Sequence, residues 1–87
     1  MAMPTISMFY GIIIAMFYDD HNPPHFHATY QDYEAIFDLN GNMLDGEMPI
    51  RQRRLIVAWA TIHQDELVGN WRLLSAHELP YKIDPLR

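Results

Sequence analysis

Three of the five histidines in this chain, His21, His25 and His27, fall within seven residues. Asp19 and Asp20 precede them, and the rigid pair Pro23-Pro24 stands between the first and the second. Imidazole is the side chain that most often ligates metals and that moves protons near neutral pH. The segment therefore admits two chemistries, and the elements that carry it decide which groups can meet.

The first chemistry is metal binding. If His25 and His27 lie on a strand, period-two spacing puts both rings on one side, close enough to share a cation. His21 from the adjoining loop, or a carboxylate, would complete a set suited to a divalent metal such as zinc, nickel or ferrous iron, with an open position if catalytic. The second chemistry is metal-free acid–base catalysis, in which a carboxylate such as Asp20 or Asp38 orients a histidine and fixes its tautomer. RNA cleavage would also require a cation for the phosphate, and Arg51, Arg53 or Arg54 would have to supply it. A third, purely structural use is that His21, Asn22 and His25 hydrogen-bond the loop and terminate a strand.

The surrounding pattern predicts an α+β fold: an N-terminal antiparallel sheet of three to five strands, with two C-terminal helices packed on one face. Residues 5–10 and 12–18 are β-branched and aromatic runs either side of Gly11, which reads as a hairpin or as one strand bent at the glycine. His25 to Tyr30 and Tyr33 to Leu39 alternate, and Gln31-Asp32 separates them as a two-residue loop. That register sets Phe26 against Phe37 and Ala28 against Ala35 on an apolar face. On the other face it sets Thr29 against Glu34, His27 against Ile36 and His25 against Asp38. Glu34 and Asp38 thus share a face with the histidines, and that face is expected to look to solvent, a ligand or a partner. Asn40-Gly41-Asn42 is a turn leading into a short edge strand around Met43 to Asp45.

Pro49 opens a helical region with Leu55, Ala58, Trp59 and Ile62 at helical spacing. His63-Gln64-Asp65-Glu66 suggests a break and a second helix, whose apolar stripe is Leu67, Trp71 and Leu74. The chain reads as one domain over residues 1–87: a β-rich half (5–47), a helical half (49–77) and an extended tail (78–87). Trp59 and Trp71 sit on apolar stripes and read as core. His63 and His77 are isolated and receive no role.

Charge divides the same halves. Residues 1–47 hold seven of the eleven Asp and Glu and none of the six Lys and Arg, within a net charge of −5. The histidine face is therefore acidic, which favours a cation or a basic partner and disfavours RNA. Arg51, Arg53 and Arg54 follow Pro49, where cations oppose the helix macrodipole. They read as an anion or acidic-partner site, or as partners of Asp45 and Glu47. With no cysteine, disulfides and thiolate metal sites are excluded. The apolar run from Gly11 to Tyr18 is too short to span a bilayer, so a cytoplasmic protein with no membrane association is expected. A homo-oligomer is compatible with the sequence.

Met3-Pro4-Thr5-Ile6-Ser7, the run Asp20 to Ala28, Asn70-Trp71 and the tail Lys82-Ile83-Asp84-Pro85-Leu86 together resemble the bacterial family called domain of unknown function 4160. The resemblance covers almost the whole chain. The histidine run is its most specific part, and Asp84 stands where a Glu is often expected. The resemblance implies company. Members are often encoded beside a small protein of the family called domain of unknown function 2442, an arrangement that looks like a toxin–antitoxin pair. The present chain would then be the toxin, neutralised by a small cognate antitoxin. Its active or target-binding face would comprise His21, His25 and His27 with Asp20, Glu34 or Asp38. RNA cleavage is the enzyme class most compatible with such toxins. A metal-binding protein and a non-catalytic interaction module are the alternatives.

Overall fold

The computed structural model describes residues 4–18 and 21–87. Five strands run in chain order as an antiparallel meander: β1 (Thr5–Phe9), β2 (Ile12–Ala15), β3 (His25–Tyr30), β4 (Tyr33–Asp38) and β5 (Met43–Gly46). Two helices follow, α1 (Ile50–Ile62) and α2 (Gln64–Ser75). This is the α+β arrangement expected, at the upper end of the strand count.

Gly11 makes the first apolar run a hairpin. Tyr10 and Gly11 form its two-residue turn with φ of 50° and 79°, the paired positive φ that matches the twist of the flanking strands. The β3–β4 hairpin has the expected register, from His25 opposite Asp38 to Tyr30 opposite Tyr33. Its turn chemistry is poor, since Gln31 must adopt φ 52°. Burial decides the register instead. Phe26 and Phe37 stack at 5.5 Å with ring planes 11° apart, and Ala28 and Ala35 lie buried beside them. A one-residue slip would turn this whole apolar set to the other face. Gly46 on β5 has φ +89°, and a Cβ there would collide with the Glu34 carbonyl and lie 2.7 Å from the Ala35 Cα. Its lack of a side chain lets β5 close against β4.

The helices cover the face that carries Phe26 and Phe37. Trp59 of α1 is fully buried, its ring 5.4 Å from Phe9 and 5.7 Å from Phe26. Ile56 and Ala60 from α1, and Leu67 and Leu74 from α2, join the same core. His63 ends α1 and begins α2, where the sequence suggested a break. Asp65 and Glu66 stand in the first turn of α2 and Arg72 in its last, a distribution that complements the helix dipole.

The extended tail docks along the β1 edge. The Ile83 N–H donates to the Ile6 carbonyl at 2.8 Å, and the Ile83 side chain is buried. The Trp59 indole N–H donates to the Asp84 carbonyl at 2.9 Å. Asn70, 2% exposed, holds the Tyr81 backbone at both ends: its Nδ2 donates to the Tyr81 carbonyl at 2.8 Å and its Oδ1 accepts the Tyr81 N–H at 2.9 Å. Among the described residues no helix is long and apolar enough to cross a membrane.

Candidate functional site

β3 starts at His25, directly after Pro23-Pro24, so the two prolines set how the loop delivers its histidines to the sheet. The Asn22–Pro23 bond is cis. The His25 Nδ1 lies 2.7 Å from the Pro23 carbonyl oxygen. A carbonyl can only accept, so Nδ1 carries the proton. In the neutral ring the lone pair is then on Nε2, the nitrogen that would take a proton or a metal.

The three imidazoles form a row with His25 in the middle. Its ring centroid is 5.3 Å from that of His27 and 6.0 Å from that of His21. His27 is half-buried, with the Phe17 ring edge-on at 4.4 Å. Strand alternation places His25 and His27 on the sheet face away from the core, as expected. The expectation that this face is open needs correction at one position. His25 is only 6% exposed, because Trp71 of α2 reaches the end of β3 and packs on it at 5.4 Å. His21 remains exposed.

The carboxylates divide. Asp38 is the Cα partner of His25, yet its side chain turns to the following loop. Oδ1 accepts the N–H groups of Asn40 and Asn42 at 2.9 Å each, and Oδ2 accepts the Asn42 side-chain amide at 3.0 Å. Burial pushes its carboxyl upward. The hydrogen bonds from the Asn42 side chain and from the backbone of Asn42, Asn40 and Gly41 together outweigh this and hold it below the ordinary value. Asp38 is thus a turn anchor. Glu34 is exposed and lines a shallow cleft of about 250 Å³ with His27, Ile36 and Asp45. Asp20 lies outside the described residues.

The arginines stand elsewhere. The Glu47 N–H donates to the Glu34 carbonyl at 3.0 Å, which places the start of α1 near the Tyr30–Tyr33 end of the sheet. At the far end of α1, the Gln64 side chain bonds to that of Asn40, close to Asp38 and its partner His25. Gly41, beside Asn40, packs against α1 itself, where a Cβ would lie 3.3 Å from the Val57 Cα, so the Asp38 turn lies along the second half of the helix while Arg51, Arg53 and Arg54 occupy its first turns. Among the described residues Arg51, Arg53 and Arg54 form no ion pair, with Asp45 and Glu47 or otherwise. Also among these residues, no three of His, Asp and Glu converge as a metal-holding group.

Two residues that sequence reasoning assigned elsewhere or left without a role organise this end of the molecule. Trp71 covers His25, and Asn70 beside it ties down the tail. A signal was available for Asn70: it follows Leu67 by three and precedes Leu74 by four, a polar amide on an apolar stripe that had to find partners. His63, which had no assigned role, bonds Glu66 Oε1 through Nδ1 at 2.6 Å and packs on Trp59 at 5.7 Å.

The family model described as Domain of unknown function (DUF4160) matches residues 11–72, more than half of the chain, from the first hairpin turn through the histidine row to Trp71 and Arg72. No curated protein and no solved structure matches the chain.

Proposed function

Since the chain belongs to the family described as Domain of unknown function (DUF4160), whose description names no activity, we propose a function from its residues: it is the toxin of a bacterial two-component module, acting in the cytoplasm through the row His21–His25–His27. The two-component setting rests on the resemblance. The chemistry rests on one observation, the Pro23 carbonyl that fixes the His25 tautomer. A histidine with a fixed tautomer, held between a second imidazole and an indole, is organised for proton transfer. His27 and the exposed His21 are its partners in that role, with Glu34 the nearby carboxylate through the cleft it shares with His27. RNA is the less favoured target, because the histidine face belongs to the half of the chain that holds seven acids and no Lys or Arg. A protein target, neutralised in turn by a small cognate antitoxin, suits the charge better.

One observation favours a second reading. A backbone carbonyl on Nδ1 is also how metal-binding histidines are oriented, and the rings of His25 and His27 are neighbours at 5.3 Å; since no three described residues converge on a metal, a zinc-like cation would require His21 to move in as the third ligand.

The test is expression of the wild type and of a His21→Ala/His25→Ala/His27→Ala variant, each with and without the adjacent gene. Circular dichroism checks that the variant folds, and a milder His27→Gln variant leaves the Trp71 contact intact. Arrest of growth by the wild type alone, relieved by the neighbour, is the expected result. Normal growth in every arm, or arrest that survives loss of the histidines, overturns the reading. Stoichiometric metal in purified wild type, absent from the variant, would select the second reading.

A further inference from the structure

Antiparallel sheets with one solvated face normally place polar residues on it. Here the face away from the helices breaks that rule on one side. The pairings Met8–Ile13–Thr29–Glu34 form one row across it, and Ile36–Asp45 belongs to the next. Met8 is 63% exposed and Ile13 38%. Both helices pack on the opposite face, and the tail follows the β1 edge. No described element covers Met8 or Ile13.

We propose that this face docks a segment of another protein that is apolar and basic. Its apolar side chains seat on Met8, Ile13 and Ile36, and its Lys or Arg groups meet Glu34 and Asp45. The sheet is built wholly from the part of the chain that holds no Lys or Arg, and among the described residues neither Glu34 nor Asp45 forms an ion pair, which leaves both carboxylates to the cations of a partner. A second copy fits poorly. Face to face it would oppose these acids with the same acids, and face to helix, through Arg51, Arg53 and Arg54, it would be a heterologous contact that must close as a ring or run on as an open chain of copies. The surface shares Glu34 and the cleft beside His27 with the site proposed above, but docking on it does not require the histidine chemistry. A partner seated there would, however, overlie the cleft that Glu34 shares with His27.

The probe is a synthetic peptide alternating valine and lysine, titrated into the isotope-labelled full chain and followed by amide chemical shifts. Alternating valine–glutamate and glycine–lysine peptides are the controls. The expected result is that only the valine–lysine peptide shifts the amides of Met8, Ile13, Thr29, Glu34 and Asp45. Its Kd should rise about tenfold or more in a Glu34→Lys/Asp45→Lys variant and in an Ile13→Ser variant, both at exposed positions. Four results overturn the proposal: no binding of the valine–lysine peptide; equal binding of either control; shifts centred on acids away from this face, such as Asp65 and Glu66; or concentration-dependent self-association through these same residues. None of these outcomes depends on growth arrest, so failure here and failure of the histidine reading are told apart.

Discussion

Replacing Asn70 by Ala removes both hydrogen bonds that fasten the Tyr81 backbone to α2. Each contributes about 1 kcal/mol net. The Tyr81 N–H and C=O that lose their partners would cost more if they stayed dry, but Tyr81 is 74% exposed and water can reach them. The expected loss is therefore about 2 kcal/mol, roughly a thirtyfold shift in the equilibrium for opening the tail. The Ile83 amide reports that opening directly, because its partner is the Ile6 carbonyl. Native-state hydrogen exchange should show the Ile83 amide speeding by about that factor, while amides of the central strands, such as Ile14 and Phe26, change far less. Asn70→Asp is the companion variant. It keeps the acceptor for the Tyr81 N–H but sets an oxygen against the Tyr81 carbonyl, so it should open the tail at least as far. An unchanged Ile83 rate would refute the idea that Asn70 is the fastener. Equal acceleration of Ile14 and Phe26 would show instead that Asn70 supports the whole core.

Three further outcomes are expected. Gly69→Ala should stabilise the fold by about 0.5–1 kcal/mol in urea denaturation, because a Cβ at this α2 position meets nothing within 4 Å; destabilisation would mean something packs there. Asp38→Asn should cost about 1 kcal/mol at neutral pH, less to the extent that solvent screens the site. Because the folded Asp38 carboxyl is held below its ordinary value of 3.8, the stabilisation is complete above that value and lost as pH falls through the folded one. The gap between wild type and variant should close in acid, and a gap independent of pH would contradict the assignment. Ring-nitrogen NMR of His25 in its neutral form should show the proton on Nδ1, and a proton on Nε2 would remove the argument from the Pro23 carbonyl.

The parts of the fold legible in the sequence were those fixed by alternation and punctuation. Phe26, Ala28, Ala35 and Phe37 lose their common face on a one-residue slip, the two-residue loop fixes which of the remaining registers is used, and His63 marked the helix break because Glu66 follows it by three, the spacing of a capping pair. The candidate site was legible as a set of residues but not as a surface. His25 sits on the outward face by strand parity, yet it is buried by Trp71, a residue 46 positions later, and strand parity carries no information about a helix that wraps the end of a sheet. Asp38 likewise shares that face by register, but three donors from its own turn engage its carboxylate, a local competition stronger than the cross-strand neighbour.

The docked tail also bears on how this sheet avoids pairing with others of its kind. An uncovered strand edge is a template for intermolecular β-pairing. The two edges here are guarded by different means. β5 is four residues long, bulged against β4, and carries Asp45 and Gly46, which makes it a poor template by itself. β1 is the more apolar, with Ile6, Met8 and Phe9 and a register shift between Thr5 and Ser7, and its guard is the segment that brings Ile83 to Ile6. Loss of the tail would therefore expose the more adhesive of the two edges, and solubility would fall before the fold itself was lost.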